Sequence, residues 1–349
     1  MALESGYYRT MQSLKKKSII ALNLSKTIVY SFEYKMLFTL SSIFSSFVKP
    51  PKLETDKKLI KHLELGVMEL HAQDAQNIID GIYPQGVLIP KSPLKHLKNI
   101  PLLLIDSLKI SRRRKLNLKK DFDFNSPEVP DYLLRNYHFQ TDGYFSEHSA
   151  NLYEQQVEIL FSGTAAPMRR MLIKLIKENS NNNKPLKILE LGAGVGTATI
   201  DFSKSFDFEK YIVSDVSDAY LEKAKKRLGT LGFEYVRSQA EELPFQDNEF
   251  DLVISVYLFH ELPRSIRGKV LSEAHRVLKP GGLIAICDSL QKDDDVALNE
   301  VLENFAIDYH EPFYKDYTLW NASLALENSA FKKVTSRSHL LSKFWVAEK

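Results

Sequence analysis

The sequence predicts an α/β protein, with a doubly wound, seven-stranded, mostly parallel sheet in its C-terminal part and a helical extension before it. Short apolar segments alternate with helix-patterned segments from about residue 186 to residue 288, which is typical of parallel strands joined by crossover helices. A glycine-rich turn follows the first of these segments, at Gly192. The last two predicted strands cover residues 331–338 and 341–347, and we expect that final pair to be antiparallel.

The composition allows one α/β domain with a substantial extension. The chain has 349 residues, of which 44% are hydrophobic, enough for a sizeable core. Its single cysteine, Cys287, can form no intrachain disulfide and offers no cysteine-based metal site. We therefore expect no bound metal and a reducing compartment, the cytoplasm. Residues 18–48 are the most hydrophobic early stretch, but Lys26, Glu33 and Lys35 interrupt it, so we expect no membrane-spanning helix.

The charges are distributed unevenly along the chain. Residues 1–120 hold 21 basic and 9 acidic side chains, whereas the remainder holds 26 and 35. This division indicates either that the front part meets an anionic partner, a membrane surface or nucleic acid, or that it carries a solvated basic face. No RNA-binding signature accompanies the basic residues, so nucleic acid is the less favoured partner.

Residues 11–48 combine a basic cluster at residues 15–17 with apolar and aromatic residues, and they end before Pro50 and Pro51, which do not continue a helix. This pattern predicts an amphipathic helix on an anionic membrane, where aromatic rings bury at headgroup depth and lysines meet lipid phosphates. The protein would then be peripherally membrane-bound. An organellar transit peptide has a similar composition. A helix packed on the protein's own body is the third interpretation.

The chain divides into three predicted parts. Residues 1–53 are the basic, aromatic segment, residues 54–145 form a helical extension and lid, and residues 146–349 form the α/β domain. Ser146 and Thr164 are the predicted N-caps of the first two helices of the third part, because both types accept hydrogen bonds from free N–H groups at a helix start.

A strand-to-helix turn with three glycines is the strongest local signal. The strand at residues 187–191 runs directly into Gly192, Gly194 and Gly196. Glycines are needed there because the chain turns sharply and a ligand must approach the backbone without meeting a Cβ atom. The G-x-G-x-G spacing differs from the G-x-G-x-x-G of nicotinamide dehydrogenases, which seats a pyrophosphate, so a dehydrogenase is the weaker interpretation.

A second predicted strand, residues 211–214, ends in Asp215, about twenty residues beyond the glycines. At this place an acidic side chain can accept hydrogen bonds from both hydroxyls of a ribose. The alternative is a helix cap, because the helical run 219–228 begins just beyond it. The register with the glycine turn favours the ribose contact.

Four segments, taken in order, resemble the class I methyltransferases that depend on S-adenosylmethionine (SAM). They are residues 188–199 (ILELGAGVGTAT), 240–245 (AEELPF), 250–255 (FDLVIS) and 276–288 (RVLKPGG with the strand after it). The likeness covers about half the chain, from residue 186 onward, and is nearest to the small-molecule, type 11 group that includes enzymes of quinone biosynthesis. The segments before it are similar to uncharacterised bacterial and plant methyltransferase-like proteins. The resemblance implies a Rossmann-like fold with SAM as cofactor.

The resemblance also implies which residues hold the cofactor. Glu190 would lie under its amino-acid end, Asp215 would bind the ribose, and the loop 239–241 would border the adenine. Relatives usually carry an aspartate at the position of Gln239, so here a neutral amide would have to accept from the adenine amino group. The predicted cofactor-binding residues are Glu190, Gly192, Ala193, Gly194, Gly196, Asp215, Val216, Gln239, Ala240, Glu241 and Ser255.

Three side chains are candidates for catalysis on the acceptor. His260 follows the predicted fourth strand, His310 lies between the fifth and sixth, and Tyr144 stands in an aromatic segment before the methyltransferase-like part. Histidine has the most suitable pKa for taking a proton from an acceptor. Each candidate has a structural alternative, which is a helix cap or a donor to a carbonyl for the histidines, and loop packing instead of a lid for residues 137–144.

The predicted function is therefore methylation of a small, lipophilic acceptor by direct displacement on the SAM methyl group. A basic, aromatic N-terminus would hold such an enzyme against the membrane in which its acceptor dissolves. Two alternatives stay open: a non-catalytic SAM-binding scaffold or regulatory subunit, and an RNA methyltransferase that uses the basic front part.

Overall fold

The computed structural model describes residues 2–44, 56–85, 93–116, 118, 120, 122–124, 126, 129–137, 143–180, 184–308 and 311–349. The strands are β1 (Leu186–Leu191), β2 (Phe208–Asp215), β3 (Phe233–Arg237), β4 (Phe250–Val256), β5 (Leu278–Ser289), β6 (Lys332–His339) and β7 (Ser342–Glu348). The α-helices are α1 (Ala2–Phe44), α2 (Lys57–Ile79), α3 (Pro93–Leu116), α4 (Glu147–Leu160), α5 (Ala165–Asn179), α6 (Thr197–Ser203), α7 (Asp218–Leu228), α8 (Arg264–Val277), α9 (Asn299–Asp308), α10 (Tyr314–Thr318) and α11 (Ala322–Asn328).

The seven strands of this part of the chain form one sheet in the order β3-β2-β1-β4-β5-β7-β6. Neighbouring strands from β3 to β5 are parallel, whereas β7 runs antiparallel to both β5 and β6. The predicted doubly wound sheet with an antiparallel final pair is thus confirmed. The strand order reverses between β1 and β4, and the carboxyl ends of these strands open a crevice, which is where such sheets usually bind ligands.

Helices cover both faces of the sheet because successive strand residues point to opposite sides. In β1, Ile188 packs in the cluster that contains Leu172 of α5, while the next residue, Leu189, packs in the cluster that contains Val270 and Leu271 of α8. All five side chains are fully buried. These two apolar layers hold the strand ends, and therefore the crevice, in fixed positions.

Helices α4 and α5, the first two helices of the predicted α/β domain, have different hydrogen bonds at their N-termini. The Ser146 hydroxyl caps α4 as predicted, because it accepts a hydrogen bond from the Ser149 N–H at 3.0 Å. Thr164 occupies the N-cap position of α5 but makes no side-chain cap bond. Its hydroxyl donates to the Phe161 carbonyl at 2.6 Å, so the predicted cap contact of Thr164 is wrong.

A buried ion pair joins the helical extension to the sheet domain. Arg170 of α5 donates two hydrogen bonds, of 2.9 and 2.7 Å, to the carboxylate of Asp74 in α2. Tyr83 and Asn23 donate to the same carboxylate. Burial opposes ionisation of Asp74, but the charge of Arg170 and the hydrogen bonds from Arg170, Tyr83 and Asn23 together outweigh it and lower the pKa of the carboxyl below its usual value. The buried charge is thus fully partnered, and removing either member would leave the other uncompensated.

Helix α1 packs on the protein through one face. Ile19, Asn23 and Glu33 lie on that face and are nearly fully buried. The burial of this face agrees with the interpretation of a helix packed on the protein's body. The opposite face of α1 is exposed, and the anionic partner expected for it stays a prediction. Every helix in the described ranges is too short or too polar to cross a bilayer. Residues 45–48 of the predicted segment lie outside the described residues.

Candidate active site

The glycine turn after β1 requires glycine at three positions. Gly192, Gly194 and Gly196 have φ angles of +58°, +59° and +71°, a conformation that strains L side chains. A Cβ atom at Gly192 would also lie 3.1 Å from the Leu258 side chain. At Gly196 a Cβ atom would meet the Ala224 side chain at 3.1 Å, so the third glycine serves the close packing of α6 on α7.

Asp215 ends β2 beside this turn. One carboxylate oxygen accepts from the Gly194 N–H at 2.8 Å and the other from the Ser217 N–H at 2.9 Å. Burial raises the pKa of Asp215 to about 6, although these donors oppose the shift. The N-cap of α7 is Ser217, whose hydroxyl accepts from the Tyr220 N–H, so the helix-cap alternative for Asp215 is wrong.

A cleft of about 740 Å³ opens at the carboxyl ends of β1, β2 and β4. The predicted site residues that line the cleft are Tyr144, Gly192, Gly194, Asp215, Val216, Gln239, Ala240 and Glu241. The Tyr132 hydroxyl donates to Glu241 at 2.7 Å, which ties the segment before α4 to the loop after β3.

The other predicted cofactor residues, Glu190, Ala193, Gly196 and Ser255, are not among those that line the cleft. Ser255 is fully buried in β4, and its hydroxyl has no hydrogen-bond partner within the described chain. Glu190 is nearly fully buried and accepts from the Tyr211 hydroxyl at 2.7 Å. Burial raises the pKa of Glu190 to about 7. Both side chains are buried within their strands and are not part of the cleft wall.

A second cavity, of about 810 Å³, adjoins the cleft, and we call it the apolar cavity. The two spaces share Tyr153, Tyr257 and Glu261 as lining residues. Helices α4 and α9 supply six of the eleven other lining residues. Five of these six side chains are hydrocarbon, namely Val157, Leu160, Val301, Leu302 and Phe305. The shared residues make the boundary between the two spaces the place where two bound molecules would meet.

His260 lies in the wall of the apolar cavity and not in that of the cleft. Its Nδ1 is 2.7 Å from one carboxylate oxygen of Asp288, and the other oxygen accepts from the Phe259 N–H at 2.8 Å. Burial lowers the pKa of His260, but the charge and hydrogen bond of Asp288, together with the charges of Glu311 and Glu261, outweigh burial and raise the net pKa. Because Nδ1 donates its hydrogen bond to the Asp288 carboxylate, Nε2 is the nitrogen that can accept another proton.

Tyr144 and Glu261 meet at the shared boundary. The Tyr144 hydroxyl donates to the Glu261 carboxylate at 2.7 Å. Burial and this carboxylate raise the pKa of Tyr144 well above its usual value, so the phenol keeps its proton and acts as a donor. Glu261 is itself 3.8 Å from Nε2 of His260. The sequence interpretation missed Glu261, although its position directly after His260 was a usable signal.

Two predicted features lie partly or wholly outside the described residues. His310 is outside them, and its catalytic role stays a prediction. Residues 138–142 of the predicted lid are outside them as well. At the two ends of that segment, the rings of Tyr137 and Tyr144 lie 5.4 Å apart and are buried.

The sequence is similar to those of known methyltransferases. Residues 188–282 match the family described as "Methyltransferase domain". A ubiquinone/menaquinone biosynthesis C-methyltransferase of Idiomarina loihiensis is 31% identical over 132 residues, which cover 36% of this chain and 51% of the relative. An uncharacterized methyltransferase of Synechocystis is 37% identical over 102 residues, 29% of this chain and 46% of the relative.

Among solved structures, a SAM-dependent methyltransferase of Aquifex aeolicus aligns with 50% of this chain and 88% of its own length, at 23% identity and a TM-score of 0.39. The chain spans about half the length of the quinone-biosynthesis relatives it matches. The family match begins in β1, covers the glycine turn and Asp215, and ends in β5. Residues 188–282 therefore carry the sequence of a methyltransferase domain.

Proposed function

We propose that this protein transfers the methyl group of SAM to a small, neutral, lipophilic acceptor that binds in the apolar cavity and carries a hydroxyl group or an acidic C–H. The observation that carries the proposal is the boundary that the cleft and the cavity share at Tyr153, Tyr257 and Glu261. A cofactor in one space and an acceptor in the other would meet there, and alignment of the two reactants is the main requirement for direct displacement.

The cleft offers the groups that SAM needs. The Asp215 carboxylate, at the end of β2, can accept hydrogen bonds from ribose hydroxyls. Gly192 and Gly194 let the ligand approach the backbone because they present no side chain. We propose that the loop 239–241 borders the adenine, with the amide oxygen of Gln239 as acceptor.

The apolar cavity favours a lipophilic acceptor. Its hydrocarbon side chains would bury an apolar ring or tail, and its polar groups are few. By its name, the Idiomarina relative acts in ubiquinone and menaquinone biosynthesis. That name agrees with an acceptor of low polarity.

His260 would remove the acceptor's proton. The acceptor oxygen or carbon forms a bond to the SAM methyl carbon, the C–S bond breaks with its electron pair going to sulfur, and the acceptor proton goes to Nε2 of His260. Asp288 stabilises the imidazolium that results, since its carboxylate is 2.7 Å from Nδ1. The products are the methylated acceptor and S-adenosylhomocysteine.

The test is methyl transfer from methyl-labelled SAM by the full chain to three acceptor classes: alkylated phenols and hydroquinones, primary amines, and short carboxylic acids. We expect product from the first class only. Transfer to amines alone would contradict the proposed acceptor, and SAM binding without transfer to any class would favour the scaffold alternative.

A cavity-filling variant links this activity to the cavity. Val157→Trp, in the α4 wall, should raise the KM for the acceptor by about tenfold or more and leave the Kd for SAM unchanged. Val296→Trp is the matched control, because Val296 is 73% exposed and does not line the cavity. Equal KM values in the two variants would place the acceptor elsewhere.

A further inference from the structure

The outward face of α1 carries an unusual density of exposed apolar side chains. Six of them are between 41% and 69% exposed; these are Met11, Leu14, Leu22, Ile28, Val29 and Phe32. At about 100° per residue they fall within an arc of roughly 120°, on one side of the helix. They extend over about 30 Å of helix, at 1.5 Å per residue. We call these six residues the α1 ridge.

Basic side chains flank the α1 ridge on both sides. At the same helical period Lys15 lies at one edge of the arc, and Lys17 and Lys35 lie at the other. All three are exposed. Between residues 10 and 40 the sequence holds one acidic residue, Glu33, and its side chain is buried on the inner face. The charge that α1 presents to solvent over this span is therefore entirely positive.

We propose that the α1 ridge docks this protein on an anionic lipid bilayer. The ridge residues enter the boundary between headgroups and acyl chains, and the flanking lysines meet lipid phosphates. The charges favour this occupant over a second copy of the chain, because two α1 ridges facing each other would bring lysines against lysines. This inference does not depend on the proposed methyl transfer, since its test measures binding alone.

Docking through α1 would also determine how far the apolar cavity lies from the bilayer. Helix α4 lies between the two: Leu152 and Ile159 of α4 pack with Tyr30 and Tyr34 of α1, while Val157 faces the cavity. A protein docked through α1 would hold the cavity two helix layers, α1 and α4, from the bilayer.

The test is co-sedimentation of the full chain with vesicles of phosphatidylcholine alone and of phosphatidylcholine mixed with phosphatidylglycerol. We expect binding to the anionic vesicles to be about tenfold stronger or more, and to weaken as salt is added. The double variant Ile28→Gln/Phe32→Gln should lose about tenfold or more of this binding, because it removes the two most exposed ridge side chains. Lys17→Glu/Lys35→Glu should lose a similar amount and most of the salt dependence.

Matched controls change exposed apolar and basic residues of the part of the chain that forms the sheet and its helices. Leu231→Gln/Leu324→Gln replaces side chains that are 95% and 50% exposed, and Lys225→Glu/Lys269→Glu reverses two exposed lysines. Both controls should bind vesicles like the unchanged protein, and all four variants should keep its melting temperature. Equal binding to the two vesicle types, or equal losses in controls and ridge variants, would overturn the proposal. So would a dimer in lipid-free solution that Ile28→Gln/Phe32→Gln converts to a monomer.

Discussion

The cofactor cleft and the apolar cavity share a boundary but are built in different ways. The cleft is formed where β1, β2 and β4 end, and its key groups are the backbone of a glycine turn and one carboxylate, Asp215. The cavity is formed where α4 packs near α9, with more than 130 residues of chain between them. Local chain geometry therefore decides the first site, whereas packing of distant segments decides the second. Substitutions in the two sites should have separable effects, and the predictions below test that separation.

The largest expected effect is on turnover, at the cavity side. His260→Asn removes the proposed base, so kcat should fall by about 10²- to 10⁴-fold while the Kd for SAM stays unchanged. The measurements are steady-state kinetics and titration calorimetry. His275→Asn, in α8 and away from both sites, is the matched control and should leave kcat unchanged. Normal kcat in folded His260→Asn protein would assign the histidine a structural role.

The second prediction concerns the cofactor side. Asp215→Ala removes the charged acceptor proposed for the ribose, so the Kd for SAM should rise roughly 10- to 150-fold, equivalent to about 1.5–3 kcal/mol. Calorimetry measures this directly, and a melting curve confirms that the variant is folded. Asp218→Ala, three residues away and exposed, should bind SAM normally. An unchanged Kd for SAM in Asp215→Ala would contradict the proposed hydrogen bonds between Asp215 and the ribose.

The third prediction is a pH dependence that belongs to the cavity side alone. His260 can accept a proton only when it is neutral, so kcat should rise as the pH passes upward through its raised pKa, above the usual 6.5. In Asp288→Asn the burial stays and the nearest negative charge is lost, so this rising limb should move to lower pH by about 1–3 pH units. The kcat profiles of both proteins measure the limb. If the rising limb stays at the same pH in Asp288→Asn, a group other than His260 causes the pH dependence of kcat.

The smallest expected effect on stability and turnover is that of a substitution at the boundary between the cleft and the apolar cavity. Tyr144→Phe removes one hydrogen bond to Glu261, so the free energy of unfolding should fall by about 0.5–1.5 kcal/mol. Turnover should fall by less than about tenfold, because the phenol donates a hydrogen bond and keeps its proton. Denaturant unfolding and kinetics are the measurements, with Tyr235→Phe on the sheet edge as control. A loss of turnover as large as that of His260→Asn would give Tyr144 a direct part in the chemistry.

The fold was predictable because its signals are local. Apolar strands, a glycine turn and cap residues such as Ser146 act within a few residues of themselves, and strand alternation follows from backbone geometry. The cap contact predicted for Thr164 failed because its hydroxyl donates to the Phe161 carbonyl and accepts from no N–H group at the start of α5. A threonine hydroxyl can accept a hydrogen bond from a helix N–H group or donate one to a nearby carbonyl, and the sequence does not show which of the two bonds forms.

The part of the candidate site that directly follows the ends of the strands was predictable from the sequence. Gly192, Gly194 and Asp215 reach the cleft because each stands where a parallel strand ends. Glu190 and Ser255 do not reach it, since both side chains are buried within their strands. The motif alone does not distinguish a residue that lines a site from one that supports it from below.

The sequence by itself determined the class I sheet, the glycine turn and the placement of Asp215, because each depends on residues close together in the chain. Only the tertiary structure decided that Asp288 holds His260, that Glu261 stands at the boundary, and that α4 and α9 enclose an apolar cavity. It also decided which face of α1 is buried and which carries the α1 ridge. These features arise from contacts between segments distant in sequence, and their geometry is set by how the helices pack on the sheet and on one another.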